Sequence, residues 1–222
     1  MDPDSLTVLR RRSAVIANRP MALGAFELEL SRAHLDFKAG AEIVIHGQEQ
    51  YEDRIYSLAN GERDPTLRLL IRLIPGGVTT PRLAKLVPGD AVEFTGPTGS
   101  FLLRNDDRPI WFIATGTGIA PLRSFVRTVP HLRPVVLHGV RQAEELYYRD
   151  ELEPHCSAYY PCVSRDPKSP QRVTTRLPSL RIPTDATFYL CGSQPMIHDV
   201  TKILAAHNIP ADQIVAEPYF FW

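Results

Sequence analysis

The sequence has little of what marks a membrane, secreted or nucleic-acid-binding protein. Its 222 residues include 25 basic and 25 acidic side chains, so no excess of positive charge favours nucleic acid. No apolar run approaches the roughly 20 residues that a membrane-spanning helix needs. Residues 1–5 have neither the basic start nor the apolar core of a signal peptide. We therefore expect a cytoplasmic protein that binds neither nucleic acid nor membrane.

Cysteine is scarce as well. The three cysteines are Cys156, Cys162 and Cys191, and they form no C-x-x-C pair. They are too few to ligate an iron–sulfur cluster or a structural zinc ion by themselves. We expect no metal site in this chain, and any iron–sulfur cluster that works with it would belong to another chain.

The pattern of the sequence changes at residues 104–109. Residues 5–103 contain short alternating strands separated by glycine and proline turns, which is typical of an antiparallel barrel or sandwich. Examples are residues 6–9, 25–30, 42–45 and 67–73. Beyond residue 109, apolar runs alternate with helical patterns at 119–129, 144–152 and 194–206, as in βαβ units. We predict an antiparallel β-barrel domain over 1–103 and a Rossmann-like parallel α/β domain over 104–222.

A glycine turn opens the second domain. The apolar run 110–114 leads into Thr115-Gly116-Thr117-Gly118, and a helical pattern follows. A strand, a glycine turn and a helix start expose backbone N–H groups to an anion, such as the diphosphate of a nucleotide. The turn is not the six-residue Rossmann fingerprint G-x-G-x-x-G. A tight strand–helix turn that binds no ligand is therefore the alternative.

Two motifs in the barrel half point to a second nucleotide. They read Arg54-Ile55-Tyr56-Ser57 and Gly76-Gly77-Val78-Thr79-Thr80. The arginine can neutralise a phosphate, the tyrosine can pack on a ring system, and the serine can hydrogen-bond the edge of that ring. The N–H groups of the second motif can hold a pyrophosphate. Each motif alone fits an exposed strand face or an ordinary capped helix, but together they fit a flavin dinucleotide.

Seven motifs along the chain resemble those of the ferredoxin–NADP reductase superfamily, in its order and at its approximate spacing. They are Arg54-x-Tyr56-Ser57, Gly77-x-Thr79-Thr80-x-x-Leu83, Gly96-Pro97-x-Gly99-x-Phe101, Thr115-Gly116-Thr117-Gly118-Ile119-Ala120-Pro121, His138-Gly139-Val140-Arg141, Cys191-Gly192-x-x-x-Met196 and Glu217-x-Tyr219. The resemblance implies an FAD-binding β-barrel followed by an NADP(H)-binding domain. It also implies an enzyme that exchanges electrons between NADP(H) and a small one-electron carrier protein, ferredoxin or flavodoxin.

The resemblance assigns a role to individual residues. FAD would be bound by Arg54, Ile55, Tyr56, Ser57, Arg72, Leu73, Ile74, Gly77, Val78, Thr79 and Thr80, with Tyr219 stacked on the flavin and Trp222 against its adenine. The nicotinamide nucleotide would be bound by Thr115, Gly116, Thr117, Gly118, Arg141, Cys191 and Gly192. Catalysis would involve Ser57 at the flavin N5 edge, Cys191 beside the nicotinamide, Glu217 as a positioning or proton-relay group, and Tyr219. By residue type alone, Cys191 could be a small core residue and Tyr219 part of an apolar tail.

A basic and hydroxyl-rich segment bears on the choice between NADPH and NADH. Ser164, Arg165 and Arg176 match the NADP-binding members of the superfamily, and Arg172 is a basic neighbour. A ribose 2′-phosphate requires such groups, whereas an acidic residue commonly binds the ribose hydroxyls of NAD. We therefore expect NADPH to be preferred over NADH. Two alternatives stay open: the acidic Asp166 could favour NADH, or the segment could be a solvated basic loop that binds no nucleotide.

Two rival functions remain open at this point. One is an NAD(P)H:flavin reductase, which releases free reduced flavin, and the other is the reductase subunit of an oxygenase or another electron-transfer complex. Because the cysteines cannot ligate a cluster, we do not expect a self-contained oxygenase reductase. We expect the protein to be a monomer.

Overall fold

The computed structural model describes residues 9–47, 52–105 and 107–219. The chain divides into two compact units, Met1–Leu102 and Leu103–Trp222. Each has a hydrophobic core of its own. No helix in the described ranges is both long and apolar enough to cross a membrane.

The first unit is an antiparallel six-stranded sheet. Its elements are β1 (Arg11–Pro20), β2 (Ala25–Ser31), β3 (Glu42–Ile45), β4 (Arg54–Ser57), β5 (Thr66–Arg72), α1 (Thr79–Ala84) and β6 (Ala91–Thr98), and the strand order is β4-β3-β6-β1-β2-β5. Just past β4, the N–H of Ala59 donates to the carbonyl of Arg68 on β5 at 2.8 Å. This bond draws the outer strands together, so the predicted barrel is confirmed as a near-barrel.

Side-chain alternation explains why these segments form strands around one core. Ile43 and Ile45 on β3 are fully buried, as are Leu67 and Leu69 on β5, with polar or half-buried residues between them. A period of two places such residues on the inner face of a sheet. The strand predicted at 42–45 agrees with β3, and the one at 25–30 ends one residue before β2 does. The strand predicted at 67–73 is displaced by one residue from β5 at both ends. Most of the strand predicted at 6–9 lies outside the described residues.

Two carboxylates on β2 are buried between arginines. Glu27 and Glu29 are both 5% exposed. Arg19 on β1 reaches Glu29 at 2.6 Å, and Arg68 on β5 lies 3.4 Å from Glu27. Burial alone would raise the pKa of Glu29, but hydrogen bonds from Arg19 and from the Thr66 hydroxyl lower it overall. Both carboxylates are thus compensated across three neighbouring strands.

The second unit is a five-stranded parallel sheet with helices in its connections. Its elements are β7 (Ile110–Thr115), α2 (Ala120–Thr128), β8 (Val135–Val140), α3 (Arg149–Leu152), β9 (Ala158–Val163), α4 (Val173–Arg176), β10 (Thr187–Ser193), α5 (Gln194–Ala206) and β11 (Ile214–Tyr219), and the strand order is β11-β10-β7-β8-β9. The Rossmann-like prediction is confirmed. The order reverses between β7 and β10, and ligands of open parallel sheets bind beyond the carboxyl ends of the strands at such a switch point.

The helix expected at 144–152 is wrong as a single element. The chain forms a 3₁₀ turn at Ala143–Glu145 and then the four-residue α3. Between them Tyr148 adopts a left-handed conformation with φ of 59°. The buried Arg123 places its guanidinium 4.7 Å from the centre of the Tyr148 ring. The backbone conformation that interrupts the helix is therefore accompanied by a tertiary contact. The predicted helix at 194–206 agrees with α5.

A buried hydroxyl at the start of β10 provides a test of the core. Thr187 is 0% exposed, and among the described residues its Oγ1 has no hydrogen-bond partner. An unsatisfied buried hydroxyl costs about 1–3 kcal/mol, so Thr187→Val, which keeps the shape, should raise the free energy of unfolding by about 1 kcal/mol. Urea denaturation measures this change.

Thr66→Val is the matched control, because the Thr66 hydroxyl donates to Glu29 at 2.8 Å. It should destabilise the protein. A loss of stability in Thr187→Val would contradict the assignment of an unsatisfied hydroxyl.

Candidate active site

The turn after β7 packs directly against the end of β10. A Cβ atom added to Gly118 would collide with the carbonyl of Cys191, and one added to Gly192 would collide with Thr115. The N–H of Ser193 also donates to the Thr115 hydroxyl at 3.0 Å. Glycine at 118 and 192 is therefore required for the two strand ends to meet at the switch point.

Gly116 leaves one side of the same turn open. Its φ is 54°, and no atom lies within 4 Å of where its Cβ would be. Gly116–Ile119 forms a 3₁₀ turn that continues into α2. The first N–H groups of a helical segment have no partner within it, and an anion beside them is stabilised by the helix dipole. The turn therefore presents the kind of backbone that an anion contacts, and the diphosphate site stays a prediction.

A histidine on β8 supports this turn from inside the sheet. His138 is fully buried, and its Nε2 lies 3.0 Å from the Gly116 carbonyl oxygen. Its Nδ1 lies 2.8 Å from the hydroxyl of Tyr159 on β9. Burial lowers the pKa of His138 to about 4, although the bond to Gly116 and the charge of Glu145 act in the opposite direction. No role was predicted for His138, although it begins the motif His138-Gly139-Val140-Arg141 and is the one histidine in an otherwise apolar strand.

Cys191 and Glu217 are neighbours on adjacent strands. They pair in register between β10 and β11, and the Cys191 thiol donates to a Glu217 carboxylate oxygen at 3.6 Å. Cys191 is fully buried, as the core-residue alternative expects, while Glu217 is half-buried. Tyr219 pairs with Ser193 at the end of β11. The three predicted site residues therefore share the carboxyl edge of the sheet.

Backbone hydrogen bonds hold two of the predicted cofactor-binding arginines together. The N–H of Arg165 donates to the carbonyl of Arg141 at 2.9 Å, and the N–H of Ser164 donates to Val140 at the same distance. The buried carboxylate of Glu145 accepts the N–H of Arg141 at 2.7 Å. Arg141 and Arg165 are both exposed at the ends of β8 and β9. The role of Glu145 in shaping this loop was not predicted.

The other residues of the proposed 2′-phosphate group lie in the segment after β9. The Arg176 guanidinium is 4.9 Å from the centre of the Tyr160 ring, and Arg172 is exposed just before α4. Asp166 accepts the N–H groups of Lys168 and Ser169 through Oδ1, at 2.8 and 3.2 Å. Because this oxygen of Asp166 already bonds backbone groups of its own loop, the structure gives less support to Asp166 as a carboxylate that binds the ribose hydroxyls of NAD.

In the first unit, the motif on β4 and the loop before α1 are ordered by their own hydrogen bonds. Arg54 donates to the carbonyl of Asp53 at 2.8 Å, and Ser57 is buried. The Thr80 hydroxyl accepts the N–H of Ile74 at 2.9 Å, while the Thr79 hydroxyl donates to the carbonyl of Glu52 at 2.9 Å. The Thr80 side chain therefore holds the loop itself, and the Thr79 side chain joins it to the segment before β4. Arg72 ends β5, Leu73 follows it, and Gly77 and Val78 complete the loop.

The features around β4 fit an aromatic nucleotide. The hydroxyl of Tyr56 is buried and has no hydrogen-bond partner among the described residues. Burial raises the pKa of Tyr56 above its usual range, although the nearby charges of Arg54 and Arg82 lower it in part. Ile55 and Val78 are 60% and 58% exposed. An unpaired hydroxyl, nearby positive charge and exposed apolar side chains suit FAD. The predicted contact of Trp222 with the adenine lies outside the described residues.

No cluster of three or more potential metal ligands occurs in residues 9–47, 52–105 and 107–219. Burial raises the pKa of the Cys156 and Cys162 thiols to about 11. At neutral pH both are protonated, which suits core packing.

Two protein-family models match the chain. The oxidoreductase FAD-binding domain matches residues 12–102, and the oxidoreductase NAD-binding domain matches residues 112–202.

Curated relatives include reductases of two kinds. Ferredoxin–NADP reductase A of Sorangium cellulosum is 30% identical, over 75% of this chain and 73% of its own length. The toluate 1,2-dioxygenase electron transfer component of Pseudomonas putida is 30% identical, over 88% of this chain. The chain spans 64% of the latter protein's length.

Solved structures share the fold. A cytochrome P450 reductase from Amycolatopsis has a TM-score of 0.83 at 29% identity, covering 96% of this chain and 71% of its own. A ferredoxin NADP⁺ reductase from Neisseria gonorrhoeae with bound FAD and NADP has a TM-score of 0.83, covering 95% of this chain and 99% of its own. At 23% identity the latter similarity shows the fold alone.

The close packing of the glycine turn predicts different outcomes for two alanine substitutions. Gly118→Ala forces a methyl group into the Cys191 backbone, and overpacking of this kind costs about 1–3 kcal/mol or more. Gly116→Ala meets open space and should lose only about 1 kcal/mol from its left-handed backbone. Denaturant unfolding should show the larger loss for Gly118→Ala, and equal losses would contradict the close approach.

Proposed function

Because the chain belongs to the ferredoxin–NADP reductase superfamily of FAD- and NAD(P)-binding oxidoreductases, we propose that it exchanges electrons between NADP(H) and a one-electron carrier protein such as ferredoxin or flavodoxin. The family establishes a flavin- and NAD(P)-dependent oxidoreductase that transfers electrons. We propose in addition that the nucleotide is NADPH, that the partner is a one-electron carrier protein, and that the individual residues have the roles given below.

The observation that carries the proposal is the pairing of the glycine turn with basic groups at one edge of the parallel sheet. The turn from Gly116 to Gly118 has an open side, and Arg141 and Arg165 lie just beyond the neighbouring strands β8 and β9. A diphosphate and a ribose 2′-phosphate are the charged parts of NADPH. Arginine binds phosphate through charge-assisted hydrogen bonds, so this edge supports NADP(H) as the nucleotide.

The residues of the two units have separate tasks in this reaction. When bound, FAD supplies the chemistry that couples two-electron hydride exchange to one-electron transfer. Arg54 would neutralise its phosphate, Tyr56 would pack on its ring, and Ser57 would hydrogen-bond the ring edge. Cys191 and Glu217, joined by their hydrogen bond, would position the nicotinamide, and Tyr219 would limit how tightly the nicotinamide stacks.

A second candidate function follows from the relatives. The toluate 1,2-dioxygenase electron transfer component is named as a part of a dioxygenase. The chain could by that analogy supply electrons to an oxygenase through a separate carrier. Steady-state assays with ferredoxin, flavodoxin and an oxygenase component as acceptors distinguish these functions.

Two arginine substitutions test the proposed NADPH specificity. Each charge-assisted hydrogen bond to phosphate contributes about 1.5–3 kcal/mol, so Arg165→Ala and Arg176→Ala should each raise the KM for NADPH roughly tenfold or more. The KM for NADH should hardly change, because NADH lacks the 2′-phosphate. Steady-state kinetics with a chemical electron acceptor measures both values.

Arg133→Ala serves as the control, because Arg133 precedes β8 and lies at the opposite end of that strand from Arg141. It should leave both KM values unchanged. Equal losses with NADPH and NADH in the two test variants would refute the proposed 2′-phosphate contact.

A further inference from the structure

The buried pair of His138 and Tyr159 has no place in the reaction as described so far. His138 lies on β8 with 0% exposure, and Tyr159 on β9 is 9% exposed. Both ring nitrogens of the histidine are within hydrogen-bond distance of a partner, the Gly116 carbonyl and the Tyr159 hydroxyl. Burying an imidazole costs free energy that an apolar side chain would avoid. The contact with Gly116 suggests what the pair does.

The chemistry of the partners fixes the direction of both hydrogen bonds. A carbonyl oxygen only accepts, so Nε2 of His138 carries the proton and donates it to Gly116. The neutral ring then has a lone pair on Nδ1, which accepts the hydroxyl proton of Tyr159. Burial raises the pKa of Tyr159 above its usual range, so that proton is retained. The chain of donors therefore runs from Tyr159 through His138 to the Gly116 carbonyl.

This chain fixes one peptide plane of the glycine turn. The carbonyl of Gly116 and the N–H of Thr117 belong to the same planar trans peptide and point in opposite directions. Holding the carbonyl against His138 therefore directs the Thr117 N–H away from the sheet interior. Gly116 itself, at φ of 54°, has no side chain to restrict this plane. Without His138, only the 3₁₀ turn at Gly116–Ile119 would restrain this plane.

We propose that Tyr159 and His138 are positioning residues that orient the Gly116–Thr117 peptide for the diphosphate and nicotinamide half of NADP(H). This inference rests on the proposed function, because it takes the turn to be a dinucleotide site. It predicts that the pair affects the binding of the whole dinucleotide and not of its adenosine 2′-phosphate half.

The test substitution is Tyr159→Phe, which removes the hydroxyl and keeps the ring. Calorimetric titration of the full chain should show a Kd for NADP⁺ that is raised about tenfold, with the Kd for adenosine 2′-phosphate unchanged. Nitrogen-15 NMR of the imidazole should show the Nε2–H tautomer for His138 in the wild type, and a changed Nδ1 chemical shift in the variant, where Nδ1 has lost its hydroxyl donor.

Tyr189→Phe is the matched control, because the Tyr189 hydroxyl also bonds a backbone group, accepting the N–H of Arg104 at 2.8 Å. It should lower the melting temperature and leave both Kd values unchanged. If Tyr159 contributes to stability alone, Tyr159→Phe should likewise lower the melting temperature and leave both Kd values unchanged.

The outcomes separate the inference from the function on which it rests. An unchanged Kd for NADP⁺ in Tyr159→Phe, or equal weakening of both ligands, would overturn the positioning role while leaving the proposed function intact. Failure of the wild-type chain to bind either ligand would overturn both. Weaker binding of NADP⁺ alone, together with the changed Nδ1 shift, would support the inference.

Discussion

The second unit depends on the close backbone approach between the turn after β7 and the end of β10. Gly118 and Gly192 have no side chain at the contact, and Thr115 bonds the N–H of Ser193 across it. The sheet reverses its strand order at this contact, and the glycine turn keeps one open side at the carboxyl edge. The glycine turn, the Cys191–Glu217 pair and the contact of His138 with Gly116 all lie around it.

The fold was largely predictable because hydrophobic patterning specifies strands and βαβ units locally. Strand β3 and helix α5 were predicted at their observed bounds, and the parallel sheet followed from the alternation of strands and helices. The structure of the segment at 144–152 was not predicted correctly, because the left-handed conformation of Tyr148 and its contact with Arg123 depend on tertiary structure. A helical pattern carries no information about that contact.

The candidate site was predictable to a different extent. Motif residues such as Cys191 and Glu217 could be named from the resemblance, and the structure pairs those two by hydrogen bond. Contacts that act through the backbone could not be predicted. His138 and Glu145 bind main-chain groups of the loops that carry Gly116 and Arg141, and only the folded chain shows which groups those are.

The visible absorption spectrum of the purified protein, followed by anaerobic addition of NADPH, tests the central claim most directly. We expect a yellow protein with a stoichiometric amount of bound FAD that NADPH bleaches, because the first unit fits a flavin and the second fits a nicotinamide nucleotide. A colourless protein that oxidises NADPH only when free flavin is supplied would contradict this expectation. Flavin would then be a substrate, and the chain would be a flavin reductase.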